Sequence, residues 1–335
     1  MSFAVQFARY GTADVLELIE IALPDPGPGQ VRLSVRAAGV NPLDWKQRSG
    51  AVREVMPLEL PARLCVDVAG VVDAVGTEVS RVKVGDHVLG RAVNGTYASD
   101  AIAHETELAR KPDTMAWEVA ALLPVVATTA AHALATLGLR SGDIFVIDGA
   151  SGAVGTFAVQ LAAQRGVRVL GTGSPGSHAR LRCLGAMPIA HGPRLAERIL
   201  EATHGAAPTA GLDAAGVGGL ADLVSVVGVA ERVVTLADPH AFALGAVFLG
   251  AGSTLTEEPV SLQALADHVA AGVLAHPAGT TYPLAAATDA HHDGEVGRLK
   301  GKAVLIPSTA HDGDHGNATA ILTAPSTVIN SIPGC

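Results

Sequence analysis

The sequence predicts an α/β protein that combines a doubly wound parallel sheet with a separate β-rich domain. From about residue 127 onward, short apolar runs alternate with helical segments, which is typical of parallel strands covered by helices on both faces. The first 120 or so residues instead hold several strand patterns and few helical ones. The chain has 335 residues, 49% of them hydrophobic and 16% charged, so two domains with sizeable cores are expected.

Charge and cysteine usage restrict the classes of partner. The net charge of −9 argues against nucleic acid or an anionic membrane as the main partner. Neither a signal peptide nor a membrane-spanning apolar run is evident. Three scattered cysteines, Cys65, Cys183 and Cys335, give no disulfide framework and no Cys-x-x-Cys zinc pair. We therefore expect a cytoplasmic protein that acts on a small molecule.

The β-rich part shows three strand patterns and a later return. Residues 31–37 alternate strictly between apolar and polar side chains, residues 67–76 form a second strand, and residues 84–90 form a turn into a third. Residues 301–307 form a short strand that is predicted to return to this domain. The parallel sheet is therefore predicted to be inserted between two parts of the β-rich domain.

The predicted domains follow from these patterns. The β-rich domain comprises 1–125 and 259–307, the parallel-sheet domain comprises 126–258, and 308–335 form a flexible tail rich in Thr, Ala, Ser and Pro. A helix is predicted at 261–274. The parallel strands are predicted at 144–148, 167–172, 187–190, 211–215, 232–236 and 245–250.

The turn from Gly149 to Gly155 is the most informative motif. It joins a buried strand to a segment with helical spacing of apolar residues, and its small side chains let a ligand approach the first N–H groups of the helix. A pyrophosphate of a dinucleotide fits such a turn. The pattern departs from the strict G-x-G-x-x-G form because Ala150 holds the first glycine position. The predicted contacts are Ala150, Ser151, Gly152, Ala153, Val154 and Gly155.

The segment after the second parallel strand indicates which dinucleotide is preferred. It contains no carboxylate that would bind a ribose diol and repel a 2′-phosphate. Hydroxyl groups and positive charge suit a phosphate better, so the sequence favours NADP(H). The alternative is a flexible polar loop with solvated arginines. The predicted cofactor contacts here are Thr172, Ser174, Ser177, His178 and Arg180.

One cluster of metal-ligating residue types lies in the tail. His311, Asp312, Asp314 and His315 stand within five residues of one another. A tail without regular structure does not fix the geometry of ligands, so we predict no metal site.

Six stretches occur in an order that resembles a known superfamily: 38–50, 67–76, 84–90, 149–155, 184–186 and 297–302. This order is similar to that of the medium-chain dehydrogenase/reductase superfamily, specifically its zinc-independent quinone oxidoreductase and enone (enoyl) reductase branch. The resemblance implies a GroES-like catalytic domain, a Rossmann domain that binds NADP(H), and a homodimer joined through edge strands. The apolar run 246–250 is either such an edge or a buried strand.

Departures from the zinc-dependent relatives define the expected chemistry. Those relatives carry a ligand cysteine where this chain has Asn41 and a histidine where it has Val66, and neither replacement suits zinc. The family's glycine is replaced by Cys65. The resemblance therefore implies zinc-independent transfer of hydride to a quinone or to the activated C=C of an enone or enal.

The resemblance also assigns roles, each with a plainer alternative. Asn41 donates an amide N–H to the developing enolate or to the cofactor, or is only a turn residue before Pro42. Lys46 stabilises the enolate or supplies its proton, or is a surface lysine. Tyr97 lines the nicotinamide pocket or packs in the core, and Thr129 lies near the nicotinamide or is structural.

Two further functions remain open at this point. The same scaffold serves in pathway-specific enoyl reductases that act on a polyketide-type intermediate. The second alternative is that the chain binds NADPH without catalysing a reaction. Oxidation of NADPH against a panel of acceptors separates these readings.

Overall fold

The computed structural model describes residues 2–250, 260–299 and 301–307, together with the backbone of 328–329. The described residues divide into two compact units. The first unit holds residues 2–125, Leu262–Ala270 and the described residues from Ala278 onward. The second holds residues 126–250, 260–261 and Ala271–Pro277. The cluster from His311 to His315 and most of the predicted tail lie outside the described residues.

The strands, in chain order, are β1 Ser2–Phe7, β2 Glu17–Ile21, β3 Gln30–Gly39, β4 Ala62–Arg63, β5 Asp67–Val75, β6 His87–Arg91, β7 Asp100–His104, β8 Leu108–Arg110, β9 Ile144–Asp148, β10 Arg168–Gly173, β11 Ala186–Ala190, β12 Ala210–Asp213, β13 Val233–Thr235, β14 Val247–Phe248, β15 Gly279–Pro283, β16 Lys302–Ile306 and β17 Val328–Ile329.

The α-helices are α1 Pro42–Ser49, α2 Trp117–Leu122, α3 Pro124–Leu137, α4 Ala153–Ala163, α5 His178–Leu184, α6 Leu195–Ala202, α7 Leu220–Val227, α8 Ala241–Leu244, α9 Leu262–Ala270 and α10 Ala287–Glu295.

The first unit is built on two sheets. A three-stranded sheet has the order β2-β1-β4, and a larger sheet has the order β17-β15-β16-β3-β5-β6-β8, with β7 also pairing β3. The predicted alternation at 31–37 buries Val31, Leu33 and Val35 on one face of β3. As predicted for 301–307, β16 returns to this sheet and pairs antiparallel with β3.

The second unit contains the predicted doubly wound parallel sheet. Its order is β11-β10-β9-β12-β13-β14, and every neighbouring pair is parallel. Connections run to one side of β9 for the next two strands and to the other side for the following three. Ligands of such sheets bind beyond the carboxyl end of the strands at this point of reversal. The fold class is therefore α/β with a GroES-like domain and a Rossmann-type sheet.

Two further observations bear on the cysteines and on membranes. Cys65 is a free, buried cysteine, whereas Cys183 is disulfide-bonded. The disulfide was not expected, because a single bond leaves no spacing pattern in a sequence. Within the described residues, no helix has the length and apolar character needed to cross a membrane.

Candidate active site

Helix α1 carries Lys46, and Asn41 stands immediately before its first residue. It begins after Asn41, and Pro42 occupies its first turn, where the fixed φ of proline suits a helix start. The Asp44 carboxylate accepts the backbone N–H of Asn41 at 2.8 Å. The helix ends at Gly50, whose φ of 82° is readily adopted only without a side chain. The local sequence therefore fixes both ends of the helix.

The Asn41 side chain is buried and already has partners within the protein. Its Nδ2 donates to Asp67 Oδ2 at 2.9 Å and lies 3.7 Å from Cys65 Sγ. Asp67 Oδ2 also accepts from the ammonium of Lys302, and Asp67 Oδ1 accepts the Val125 N–H at 2.8 Å. Asn41 is thus more than a turn residue, since its carboxamide is joined to a buried ion pair.

A second buried network lies behind α1. The Tyr97 hydroxyl donates to Asp44 Oδ2 at 2.9 Å, and its oxygen lies 3.0 Å from Nε2 of His291. Tyr97 and His291 are fully buried, so Tyr97 packs in the core and reaches α1 through its hydrogen bond to Asp44. Because the Tyr97 proton goes to Asp44, its oxygen accepts from His291 Nε2–H, which leaves Nδ1 as the unprotonated nitrogen.

Burial shifts the pKa values in this network in opposite directions. Loss of solvation raises the pKa of Asp44 to about 7, although hydrogen bonds from Asn41 and Tyr97 oppose the shift. The same effect lowers the pKa of His291 to about 3, helped by the nearby charge of Arg48. Burial also raises the pKa of the Cys65 thiol well above its usual value. At neutral pH His291 and Cys65 are therefore uncharged.

Lys46 differs from these residues in that its side chain has no polar partner in the part of the chain that the structure describes. It is partly buried on α1, and its ammonium makes no hydrogen bond or ion pair with a described residue. Arg48, two residues later, is fully buried and paired with Glu295 of α10. Helix α10 thus holds α1 in place and leaves Lys46 available.

The glycine-rich turn of the second unit has the shape of a phosphate cradle. A Cβ at Gly155 would lie 2.5 Å from Ala150 Cα, so the helix start packs directly on the turn. Gly149 has a φ of 81°, and Gly152 is exposed immediately before α4. A Cβ at Gly152 would meet only Gly149 O, at 3.2 Å. The first N–H groups of α4 are therefore not covered by a side chain at Gly152, which fits a pyrophosphate.

The predicted cofactor residues after β10 are placed differently from one another. Ser174 is exposed, while the Ser177 hydroxyl donates to Ser174 O and His178 Nε2 lies 3.3 Å from Gly173 O. Thr172 is buried, and its hydroxyl is taken by Asp148 and the Gly149 N–H. Among these hydroxyls, that of Ser174 is the most accessible.

Arg180 and Thr129 complete the predicted set. The Arg180 guanidinium turns toward α4, where it donates to Thr156 Oγ1 and to the carbonyl of His276. Thr129 is partly buried on α3. Ala150 is buried in the turn, and Ser151, Ala153 and Val154 are partly buried around it.

The chain matches two models of known protein families. Residues 27–132 match the alcohol dehydrogenase GroES-like domain, and residues 195–305 match the zinc-binding dehydrogenase domain. A quinone oxidoreductase of Pseudomonas aeruginosa is 38% identical over 212 residues, which is 61% of this chain and 64% of the relative. A pikromycin polyketide synthase component of Streptomyces venezuelae is 39% identical over 168 residues, or 50% of this chain and 4% of the relative.

Similar solved structures cover more of the molecule. The quinone oxidoreductase of Pseudomonas syringae pv. tomato DC3000 has a TM-score of 0.80 and 30% identity, over 92% of this chain and 100% of that one. The chain belongs to the medium-chain dehydrogenase/reductase superfamily. A mycobacterial structure complexed with NADPH has a TM-score of 0.79 and 29% identity, over 92% and 100% of the two chains. The sequence matches span about half to two thirds of the first curated relatives.

Members of this superfamily that use zinc need a set of ligands that the present site does not offer. Asn41 stands at one ligand position with its amide bound to Asp67, and the exposed Val66 stands at the other. Asp67 itself is bound by the Lys302 ammonium. No group of three or more His, Cys, Asp or Glu side chains able to hold a metal occurs in the described part of the chain. The donor set therefore does not fit zinc.

The sequence alone did not indicate the residues that support this site. His291 lies 194 positions from Tyr97, and Lys302 lies 235 positions from Asp67. Lys302 falls within the closing 297–302 motif of the superfamily, but nothing in that motif shows which carboxylate it meets. Periodicity marks burial, and a buried ion pair between distant strands has no local signal.

Proposed function

We propose that the chain is a zinc-independent, NADPH-dependent reductase that transfers hydride to a quinone or to the activated C=C of an enone or enal. The observation that carries this proposal is the replacement of a metal-ligand set by Asn41, Val66 and an Asp67 already bound to Lys302. Electron-poor acceptors need no Lewis acid to receive hydride. The nicotinamide, when bound, supplies that hydride.

Lys46 is the group best suited to meet the negative charge that develops on the acceptor oxygen. Its ammonium is unpaired among the described residues, whereas the amide of Asn41 is bound to Asp67. A positioned cation lowers the barrier for such a step, and an ammonium can also deliver a proton. We assign Asn41 and Tyr97 to the same site, with Tyr97 acting through Asp44.

NADP(H) is proposed over NAD(H) for two reasons. The loop that follows β10 offers the exposed Ser174 and no carboxylate before α5. The similar mycobacterial protein is complexed with NADPH. The proposed contacts are the turn Ala150–Gly155, Thr129 and the segment from Thr172 to Arg180. Within that segment Thr172 and Arg180 act by shaping the loop, since their polar groups bond within the protein.

Stopped-flow oxidation of NADPH against quinones, enones and enoyl thioesters tests this function. We expect turnover with quinones or enones, and we expect NADPH to bind more tightly than NADH. Turnover with thioesters alone would favour the enoyl reductase function, in keeping with the similarity to a polyketide synthase component. Measurable NADPH binding without turnover of any acceptor would contradict both enzymatic functions.

Substitution of Lys46 tests its role within this function. Lys46→Ala is expected to lower kcat about 10- to 100-fold with little change in NADPH affinity, because the loss is of a group that acts during the reaction. Lys83→Ala removes an exposed lysine of the same unit and serves as the control. An unchanged kcat in Lys46→Ala would remove Lys46 from the mechanism.

A further inference from the structure

The Asp67 side chain is the centre of a buried cluster in which it accepts hydrogen bonds from three donors. Its side chain is fully buried, and Lys302 is only 4% exposed. Lys302 Nζ and Asn41 Nδ2 both donate to Oδ2, and the Val125 N–H donates to Oδ1. The Lys302 ammonium also lies 3.4 Å from the carbonyl of Leu122. Removal of one partner from such a buried pair leaves an uncompensated charge, so the arrangement of the remaining groups depends on both.

The backbone around this cluster leaves space for the lysine. A Cβ at Gly39 would lie 2.8 Å from Cε and 2.9 Å from Nζ of Lys302. It would also lie 2.5 Å from the carbonyl of Ala121. Gly39 is the last residue of β3 and stands two positions before Asn41. The end of β3, which leads into α1, therefore has room for the Lys302 side chain because residue 39 is glycine.

The chemistry of the partners fixes how the Asn41 carboxamide is turned. Lysine and a backbone N–H can only donate, so the oxygen atoms of Asp67 accept from both. The group of Asn41 that meets Asp67 Oδ2 must then be the amino group, not the carbonyl. The carboxamide cannot rotate by half a turn without placing its carbonyl oxygen against a carboxylate oxygen.

We propose that Lys302 and Asp67 form a positioning pair that holds the carboxamide of Asn41 in one orientation beside the reaction centre. This inference rests on the proposed function, and it adds Lys302 and Asp67 to the residues on which that function depends. Asp67 contacts Asn41 directly, and Lys302 acts through Asp67. The pair replaces a bound metal as the element that fixes the side chain at position 41.

Nuclear magnetic resonance of the side-chain amide of Asn41 tests the orientation without any substrate. The chain contains four asparagines, so selective ¹⁵N-asparagine labelling gives a short set of signals. In Lys302→Met the Asp67 side chain loses the ammonium that fixes Oδ2, so it no longer holds the Asn41 amide in one orientation. We expect the Asn41 amide signals to shift, while those of Asn94, which bonds Ile102, stay in place.

A neutral double variant separates orientation from folding. In Lys302→Met/Asp67→Asn the amide of residue 67 has one acceptor, which the Val125 N–H needs. Its amino group then faces that of Asn41, and two donors cannot pair, so the Asn41 carboxamide turns over. We expect a melting temperature near that of the native protein, at least a tenfold lower kcat, and NADPH affinity within about twofold. Lys83→Met is the matched control for loss of a lysine.

Three results would overturn the proposal. Unchanged Asn41 signals in Lys302→Met would show that the pair does not hold the carboxamide, and an equal shift at Asn94 would indicate a general disturbance. A native kcat in the double variant would show that orientation does not matter. If Lys302→Met fails to fold, both the Asn41 amide signals and kcat are measured on the double variant instead. If the native protein turns over no acceptor, the amide signals still decide the inference, and only the proposed function fails.

Discussion

Asp44 and His291 are joined through Tyr97, yet their ionisation affects folding in opposite ways. The pKa of Asp44 is about 7 in the folded protein and near 4 when unfolded. Between these values the folded state binds the extra proton, so the contribution of Asp44 to stability falls as pH rises. The pKa of His291 is about 3 when folded, against about 6.5 unfolded. The unfolded state binds that proton, so stability rises with pH.

Single variants should therefore reveal slopes that partly cancel in the native protein. Between about pH 4 and 6.5 we expect little net change in the free energy of unfolding from this pair. Asp44→Asn should leave a stability that rises with pH, and His291→Asn one that falls, each by at most about 1.4 kcal/mol per pH unit. Urea unfolding at several pH values measures both slopes. Slopes of the same sign in the two variants would refute this account.

At the residue scale, the sequence predicts the contents of α1 better than its surroundings. Asn41, Lys46 and the absence of a zinc-ligand pair follow from a short local motif. The partners of Asp44 and Asp67 come from α10 and β16, far along the chain. Which of several charged residues meets a buried carboxylate depends on sheet register, and a sequence pattern does not give that register across such distances.

At the scale of elements, most strands can be predicted because their buried positions form regular apolar patterns in the sequence. The six parallel strands lie within a few residues of their predicted positions, because each is a short apolar run between polar turns. The predicted helix at 261–274 is shorter, at Leu262–Ala270. Its end falls before the segment Ala271–Pro277, which belongs to the second unit, and helical periodicity does not mark such a change.

Two glycines of the dinucleotide turn should respond differently to alanine. In Gly155→Ala the new Cβ meets backbone atoms of Gly149 and Ala150 at 2.5 Å, so we expect a loss of about 1–3 kcal/mol in stability. Gly152→Ala meets only one atom, at 3.2 Å, and should cost less than about 1 kcal/mol. Its methyl group covers the helix start, however, and should weaken NADPH binding about tenfold. Thermal unfolding and fluorescence titration measure these effects, and equal stability losses would contradict the packing argument.

At the scale of the whole molecule, the exposed edge of the parallel sheet bears on assembly. Strand β14 is the last strand of that sheet, and Phe248 on it is 37% exposed beside the more exposed Phe242, with ring centroids 5.9 Å apart. We expect two copies to join at this edge and give twice the 33.8 kDa mass of the chain.

Light scattering after size exclusion measures this mass. Phe248→Lys should yield a monomer, because a charge at the edge disfavours strand pairing. Phe3→Lys, at an exposed apolar position of the other unit, is the control and should leave the mass unchanged. A native protein that runs as a monomer would rule out the expected dimer.

The return of β16 to β3 also sets the order in which the site can be completed during synthesis. Lys302 leaves the ribosome 235 residues after Asp67, or roughly 12 to 47 seconds later at typical rates of translation. For most of that interval the second unit is being made, while the carboxylate that will meet the lysine has no cation. A nascent chain interrupted before Lys302 can therefore fold its dinucleotide cradle and still lack a closed reaction centre. The proposed hydride transfer would therefore require translation to pass β16, which pairs with β3 in the first unit.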